Sequence, residues 1–163
     1  MSTANAIRRF LEDHHVRSET MPHAHTATAL ASARVAEVDA ECVAKAVMTG
    51  DEHGLLMAVI PASHYVEMKA LRRQTGRHLH LVPEGEFATR FPDCEVGAIP
   101  PFGEAYGMPM IWDDCLAEKS DIYFEAGDHE SLMHVNSRDF VDLVRSSSHG
   151  CISTDGKRER TPG

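Results

Sequence analysis

Two apolar runs, Val43–Met48 and Leu55–Ile60, are separated only by Gly50-Asp51-Glu52-His53-Gly54 and its immediate flank. Turn residues between two runs of strand length predict a β-hairpin, and Pro61 stops its second strand. The first strand carries a charge, Lys45, inside Cys42-Val43-Ala44-Lys45-Ala46-Val47-Met48. Alternation puts Val43, Lys45 and Val47 on one face. That face cannot be wholly dry unless the ammonium has a partner, because burying a lone charge is costly. A pocket lysine and an edge lysine pointing to water are equally good readings of this pattern.

Around the hairpin the pattern mixes short helices and strands. Residues 4–14 predict a helix, with Ile7, Phe10 and Leu11 at helical spacing. Pro22 breaks the next piece, an extended lead-in, and the alanine-rich stretch 26–33 predicts a second helix. Tyr65–Thr75 reads as a helix closed by Gly76, and His78–Val82 as a half-buried strand. A short helix is expected over 84–90, then strands at 110–112, 122–124 and 132–135. Ser137 is a candidate N-cap for a helix over 138–144. The order lacks strict strand–helix alternation, so the expected class is α+β: one domain, a mixed sheet with flanking short helices. The segment 146–163, rich in Ser, Gly and mixed charge, reads as a disordered tail.

Charge narrows the function. The chain of 163 residues has a net charge of −9, which argues against a broad nucleic-acid surface and against DNA. Gripping one nucleic-acid end needs only a few cations in a cleft. No stretch approaches the roughly 18 apolar residues of a membrane span, and no signal-peptide order opens the chain. A cytoplasmic protein is expected. The cysteines Cys42, Cys94, Cys115 and Cys151 lie far apart, so reduced thiols are the default. Cys94, near the later loop, could be a nucleophile, but a small semi-buried residue is the simpler reading. The 11 histidines include the close pairs His14-His15, His23/His25 and His78/His80. His78 and His80 would face one side of a strand, yet no third ligand is apparent, so no metal and no cofactor are expected. Neither a phosphate-binding glycine loop nor a serine-hydrolase elbow occurs.

The residues suited to chemistry are few. Val96-Gly97-Ala98-Ile99-Pro100-Pro101-Phe102-Gly103 combines a permissive glycine with two prolines that stiffen the backbone. Such a loop could hold an acyl carbonyl on its amides, or be ordinary punctuation. His129 ends Gly127-Asp128-His129 and could contact substrate or sit in a turn. Asp113 and Asp114 follow a strand and could polarise a water or an amine, though solvated turn carboxylates are the plainer reading.

Lys45, the Gly97-x-x-x-Pro101 spacing and the strand Asp121–His129 together resemble the YbaK/prolyl-tRNA-editing family, which consists largely of aminoacyl-tRNA deacylases. The resemblance runs from about Thr26 to Val144 and implies a deacylase domain over 26–145, preceded by a helix and lead-in over 1–25. It implies a free-standing editing enzyme that hydrolyses the ester of a small mischarged amino acid on tRNA. Lys45 and His129 would be catalytic. Gly97, Ala98, Ile99, Pro100, Pro101 and Asp113 would bind substrate. The acceptor end of aminoacyl-tRNA is the expected partner, with an aminoacyl-tRNA synthetase as a second. Two departures bear on the substrate: many relatives have a small polar residue where Ala46 stands, and the cysteinyl branch often has Ser at Pro100. Alanine is therefore the expected amino acid. The alternatives are a non-catalytic binding module on the same fold and a histidine-rich metal-binding protein.

Overall fold

The computed structural model describes residues 4–95 and 97–155. In chain order it has α1 (Asn5–Asp13), β1 (Glu19–Pro22), α2 (Ala29–Val35), β2 (Val43–Asp51), β3 (Gly54–Pro61), β4 (Tyr65–Val66) and α3 (Met68–Thr75). These are followed by β5 (His80–Leu81), β6 (Met110–Asp113), β7 (Asp121–Glu125), β8 (Ser131–Asn136), α4 (Ser137–Leu143), β9 (Ser148–Gly150) and β10 (Ser153–Thr154). The main sheet runs β1-β8-β7-β2-β3-β6-β9, with β5 paired to the far end of β2. It is mixed: β2–β3 is the antiparallel hairpin, while β2–β7, β3–β6 and β6–β9 are parallel. The fold is the single-domain α+β arrangement expected.

Sheet register assigns side chains to two faces, because paired residues share a face and neighbours alternate. Ala44, Met48, Met57, Val59, Trp112 and Phe124 form the larger core under α1 and α4, closed by Phe10, Phe102 and Phe140. The opposite face is divided. Val43 packs with Ala29 and Ala33 of α2, and Ile60 packs with Leu71 of α3. Lys45 pairs with Ile60 and shares the face of Val43 and Val47, so it lies between the parts covered by α2 and α3.

Several boundaries differ from the sequence reading, each for a local reason. α2 starts at Ala29 because the Thr28 side chain accepts from the Ala31 amide and caps it. Tyr65–Val66 pairs with Ser153–Thr154, and the helix begins only at Met68, ending at Gly76 in the left-handed conformation. Residues 84–90 form two short 3-10 turns, Glu84–Glu86 and Ala88–Arg90. The strand expected over 78–82 is only His80–Leu81, with Leu79 buried and Leu81 58% exposed. α4 is capped by Asn136, whose side chain accepts from the Asp139 amide, so Ser137 is its first helical residue. The expected disordered tail is corrected over 148–154, where β9 extends the main sheet and β10 pairs with β4. Residues 156–163 of that tail lie outside the described residues.

Candidate functional site

Lys45 faces the gap between α2 and α3. Its Nζ donates to the Ala62 carbonyl at 3.2 Å and lies 5.7 Å from the centre of the Tyr65 ring. Burial lowers its pKa from the ordinary lysine value. The two open readings thereby meet: the ammonium is half-buried, with a carbonyl and an aromatic face as partners.

β7 places a second charge on this face. Val43 pairs with Tyr123 and Ala44 with Phe124, so Glu125, next after Phe124, points the same way as Tyr123 and Lys45. Glu125 is 2% exposed, and its Oε2 is 2.7 Å from Nδ1 of His129. Burial pushes the Glu125 carboxyl up, against the opposing pull of the Ser32 hydroxyl and of His129. Ser32 is itself hydrogen-bonded to the Thr26 hydroxyl at 2.6 Å, so α2 and its lead-in cover the pair. The His129 backbone is left-handed, with φ 56°, and its carbonyl accepts from the Thr26 amide. Asp128 supports the turn by accepting from the Glu130 amide at 2.9 Å.

The glycine–proline loop crosses this pair. Gly97 has φ +80°, and a Cβ there would lie 3.0 Å from the Ala27 carbonyl oxygen and 3.1 Å from His129 Nε2. The glycine is thus demanded twice, by its backbone and by its neighbours. Ala98 to Phe102 are buried, packing against the larger core through Ile99 and Phe102. The Ala98 amide donates to the Glu95 carbonyl and that of Phe102 to the Pro100 carbonyl. The loop is a packed segment rather than the row of exposed amides the sequence allowed. His25, on the lead-in, meets the His129 ring edge-on at 6.0 Å between centres and its Nε2 lies 3.1 Å from Glu95 Oε1.

Lys45, Glu125 and His129 therefore belong to one region, with Gly97 over the histidine. Asp113 stands elsewhere, at the end of β6, and it is not a solvated turn carboxylate. It is 3% exposed and accepts from the Cys115 amide, the Ile152 amide and the Ser153 hydroxyl, at 2.9, 3.0 and 2.7 Å. Burial alone would raise its pKa, but these hydrogen bonds outweigh it and hold the carboxyl below the usual range. Oδ1 caps the turn that follows β6, and Oδ2 joins β6 to the C-terminal segment. Asp114 remains exposed and meets His149 Nδ1 at 2.5 Å. Burial pushes the Cys94 thiol up to about 12, opposite to what a nucleophile needs. His78 and His80 are exposed, and among the described residues no group of three His, Cys, Asp or Glu side chains could hold a metal ion.

Glu125, Ser32 and Thr26 were not singled out in the sequence. Glu125 carries a usable signal, a carboxylate inside the apolar run Ile122–Ala126, the same anomaly that exposes Lys45.

The comparisons agree with this architecture. A solved structure of the hypothetical protein APE2540 matches with a TM-score of 0.81 at 17% identity, covering 92% of this chain and all of that one. A proposed trans-editing enzyme for prolyl-tRNA synthetase matches with a TM-score of 0.78 at 17% identity, covering 94% and 98%. A proposed signal transduction protein from Marinobacter aquaeolei matches with a TM-score of 0.74 at 16% identity, over 91% of this chain but 30% of its own. At such identities these likenesses establish the fold alone. No curated protein sequence matches the chain. Among the described residues no helix is long and apolar enough to cross a membrane. The model of the aminoacyl-tRNA editing domain matches residues 22–143, a stretch holding Lys45, Gly97, Glu125 and His129, and the chain belongs to that family.

Proposed function

We propose that this protein is a free-standing editing deacylase that hydrolyses the ester between a small amino acid, alanine, and a tRNA on which it was wrongly placed. The observation that carries this reading is the editing-domain match over 22–143. The cleft chemistry supports it. An aminoacyl ester is already activated by the neighbouring ribose hydroxyl, so positioning and electrostatics can supply much of the rate. Lys45 supplies a cation in the gap between α2 and α3, where it would hold the acceptor end near the ester. The segment from Gly97 to Pro101 forms a rigid wall for the aminoacyl group, and a size limit is the usual basis for rejecting larger side chains. Water attacks the ester carbonyl, the ribose oxygen leaves with a proton, and alanine and tRNA are released.

His129 is 2% exposed beneath Gly97, and this burial favours a positioning role. Held by Glu125, it fixes the loop that seats the substrate. Asp113, with both oxygens engaged by the protein, is assigned to structure.

The test is a panel of tRNAs charged with matched and mismatched small amino acids. Faster deacylation of alanyl-tRNA of a non-alanine tRNA, such as that for proline, than of the correctly charged forms is expected. No deacylation of any member would overturn the enzymatic reading in favour of a binding module.

A further inference from the structure

Among the described residues of this acidic chain, positive charge gathers around α3. Between Tyr65 and Arg77 stand Lys69, Arg72, Arg73 and Arg77 against a single carboxylate, Glu67. Arg77 is committed to Asp51, with two hydrogen bonds of 2.8 and 2.7 Å. The other three are exposed on α3, while Ala70 and Leu71 are buried. At 3.6 residues per turn, positions 69, 72 and 73 fall within about a third of the helix circumference, away from the buried side. Among the described residues, Lys69, Arg72 and Arg73 form no ion pair.

An aromatic ring adjoins this row. Tyr65, in β4 just before α3, is 65% exposed, the most exposed large apolar side chain in the described residues. Its ring lies 5.7 Å from Lys45 Nζ. The order on the surface is therefore the cleft lysine, an open aromatic face, then a helix carrying three cations without a carboxylate partner, of which Arg72 also donates its Nε to the Leu79 carbonyl at 2.8 Å. Alternating stacking surface and positive charge is what a single-stranded nucleic acid requires, because bases stack on rings while phosphates seek cations. A net charge of −9 makes the rest of the exterior a poor host for phosphate.

We propose that Tyr65 and the outer side of α3 bind the single-stranded 3′ end of the tRNA, with a base stacked on Tyr65 and phosphates along Lys69, Arg72 and Arg73. This deepens the editing reading by assigning the surface that delivers the ester to Lys45, and it rests on that reading. An acidic protein surface is the competing occupant of the same cations.

Binding of uncharged tRNA, measured by titration across a range of salt concentrations, tests the surface without requiring catalysis. Lys69→Glu with Arg73→Glu is expected to weaken binding at least tenfold and to reduce the slope of log affinity against log salt by one to two, roughly the contribution of two phosphate contacts. Tyr65→Ala is expected to weaken binding about tenfold with little change in that slope, and Tyr65→Phe to retain it. Arg138→Glu, an exposed charge change on α4 across the sheet, serves as a control and should alter affinity by less than twofold. Circular dichroism confirms folding of each variant. Wild-type affinity in the α3 double variant and in Tyr65→Ala, or no tRNA binding by the wild type at low salt, would overturn the assignment; the former would point to a protein partner. Failure of the mischarged-tRNA panel is a separate result: tRNA binding that depends on these residues would uphold the surface even if no ester is cleaved.

Discussion

Gly97 lies directly over the His129 imidazole: a Cβ at Gly97 would be 3.1 Å from Nε2, and 3.0 Å from the Ala27 carbonyl oxygen on its other side. The glycine is the point where the loop, the α2 lead-in and the β7–β8 turn converge. Its conservation of space serves the protein's own histidine before it serves any substrate.

Gly97→Ala should consequently cost both stability and activity. A non-glycine residue at φ +80° is strained, and the added methyl presses on two neighbours. The expected loss is about 1–3 kcal/mol, read by denaturant unfolding. The same substitution in a His129→Ala background should cost less, by about 0.5–1 kcal/mol, because one neighbour has gone. Strict additivity of the two changes would show that Gly97 and His129 are not coupled.

Much of this arrangement is legible in the sequence, and the remainder is hidden for identifiable reasons. The β2–β3 hairpin follows from two apolar runs and a turn, and Lys45 announces itself as a charge in one of them. The loop around Gly97 is visible from glycine–proline spacing, but its burial is not, because that depends on Phe102 entering a core built from α1, α4 and the sheet. The partnership of Ser32 and Thr26 with Glu125 arises only when α2 folds across β7. The polar segment after residue 146 looks unstructured because its anchors are backbone pairings, the distant Asp113 and a single buried side chain, Ile152, too few apolar positions to make a pattern.

The raised pKa of Glu125 gives stability a definite pH dependence. Its folded pKa lies above the unfolded value of 4.5 because burial disfavours the carboxylate. The folded state therefore binds more protons within that window, and this group's contribution falls as pH rises from about 4.5 through the raised value. Glu125→Gln removes that component. The difference in unfolding free energy between variant and wild type should shift in favour of the variant as pH rises through the window, then level off. A difference independent of pH from 4 to 8 would contradict the raised pKa.

Lys45 separates stability from activity. Burial lowers its pKa, so the charged form is disfavoured in the fold and its charge detracts from stability at neutral pH. Lys45→Met should unfold at the same temperature or higher, while deacylation falls by about 100-fold or more, the scale seen when one positioned electrostatic group is removed. Lys45→Arg should not restore full activity, since the planar guanidinium cannot reproduce an ammonium seated on the Ala62 carbonyl. Wild-type deacylation by Lys45→Met would remove the residue from the mechanism.

Asp113 decides whether the carboxylate after β6 belongs to the site or to the fold. Its oxygens take three hydrogen bonds, two of them from Ile152 and Ser153 in the C-terminal segment, and Ser153 is also 2.8 Å from His64 Nδ1. Asp113→Ala would leave the buried Ile152 amide without its acceptor and loosen β10 from β4. Hydrogen bonds to a charged group contribute about 1.5–3 kcal/mol each, so a loss of at least about 2 kcal/mol is expected. The loss should be localised: amide exchange should accelerate in 148–154 and at Tyr65–Val66, while the β2–β3 hairpin stays protected. A substrate-binding role predicts the reverse, unchanged exchange in those segments with a raised KM. Measuring exchange and KM on one preparation of the variant distinguishes the two, because a carboxylate whose two oxygens are already engaged has little left to offer a substrate.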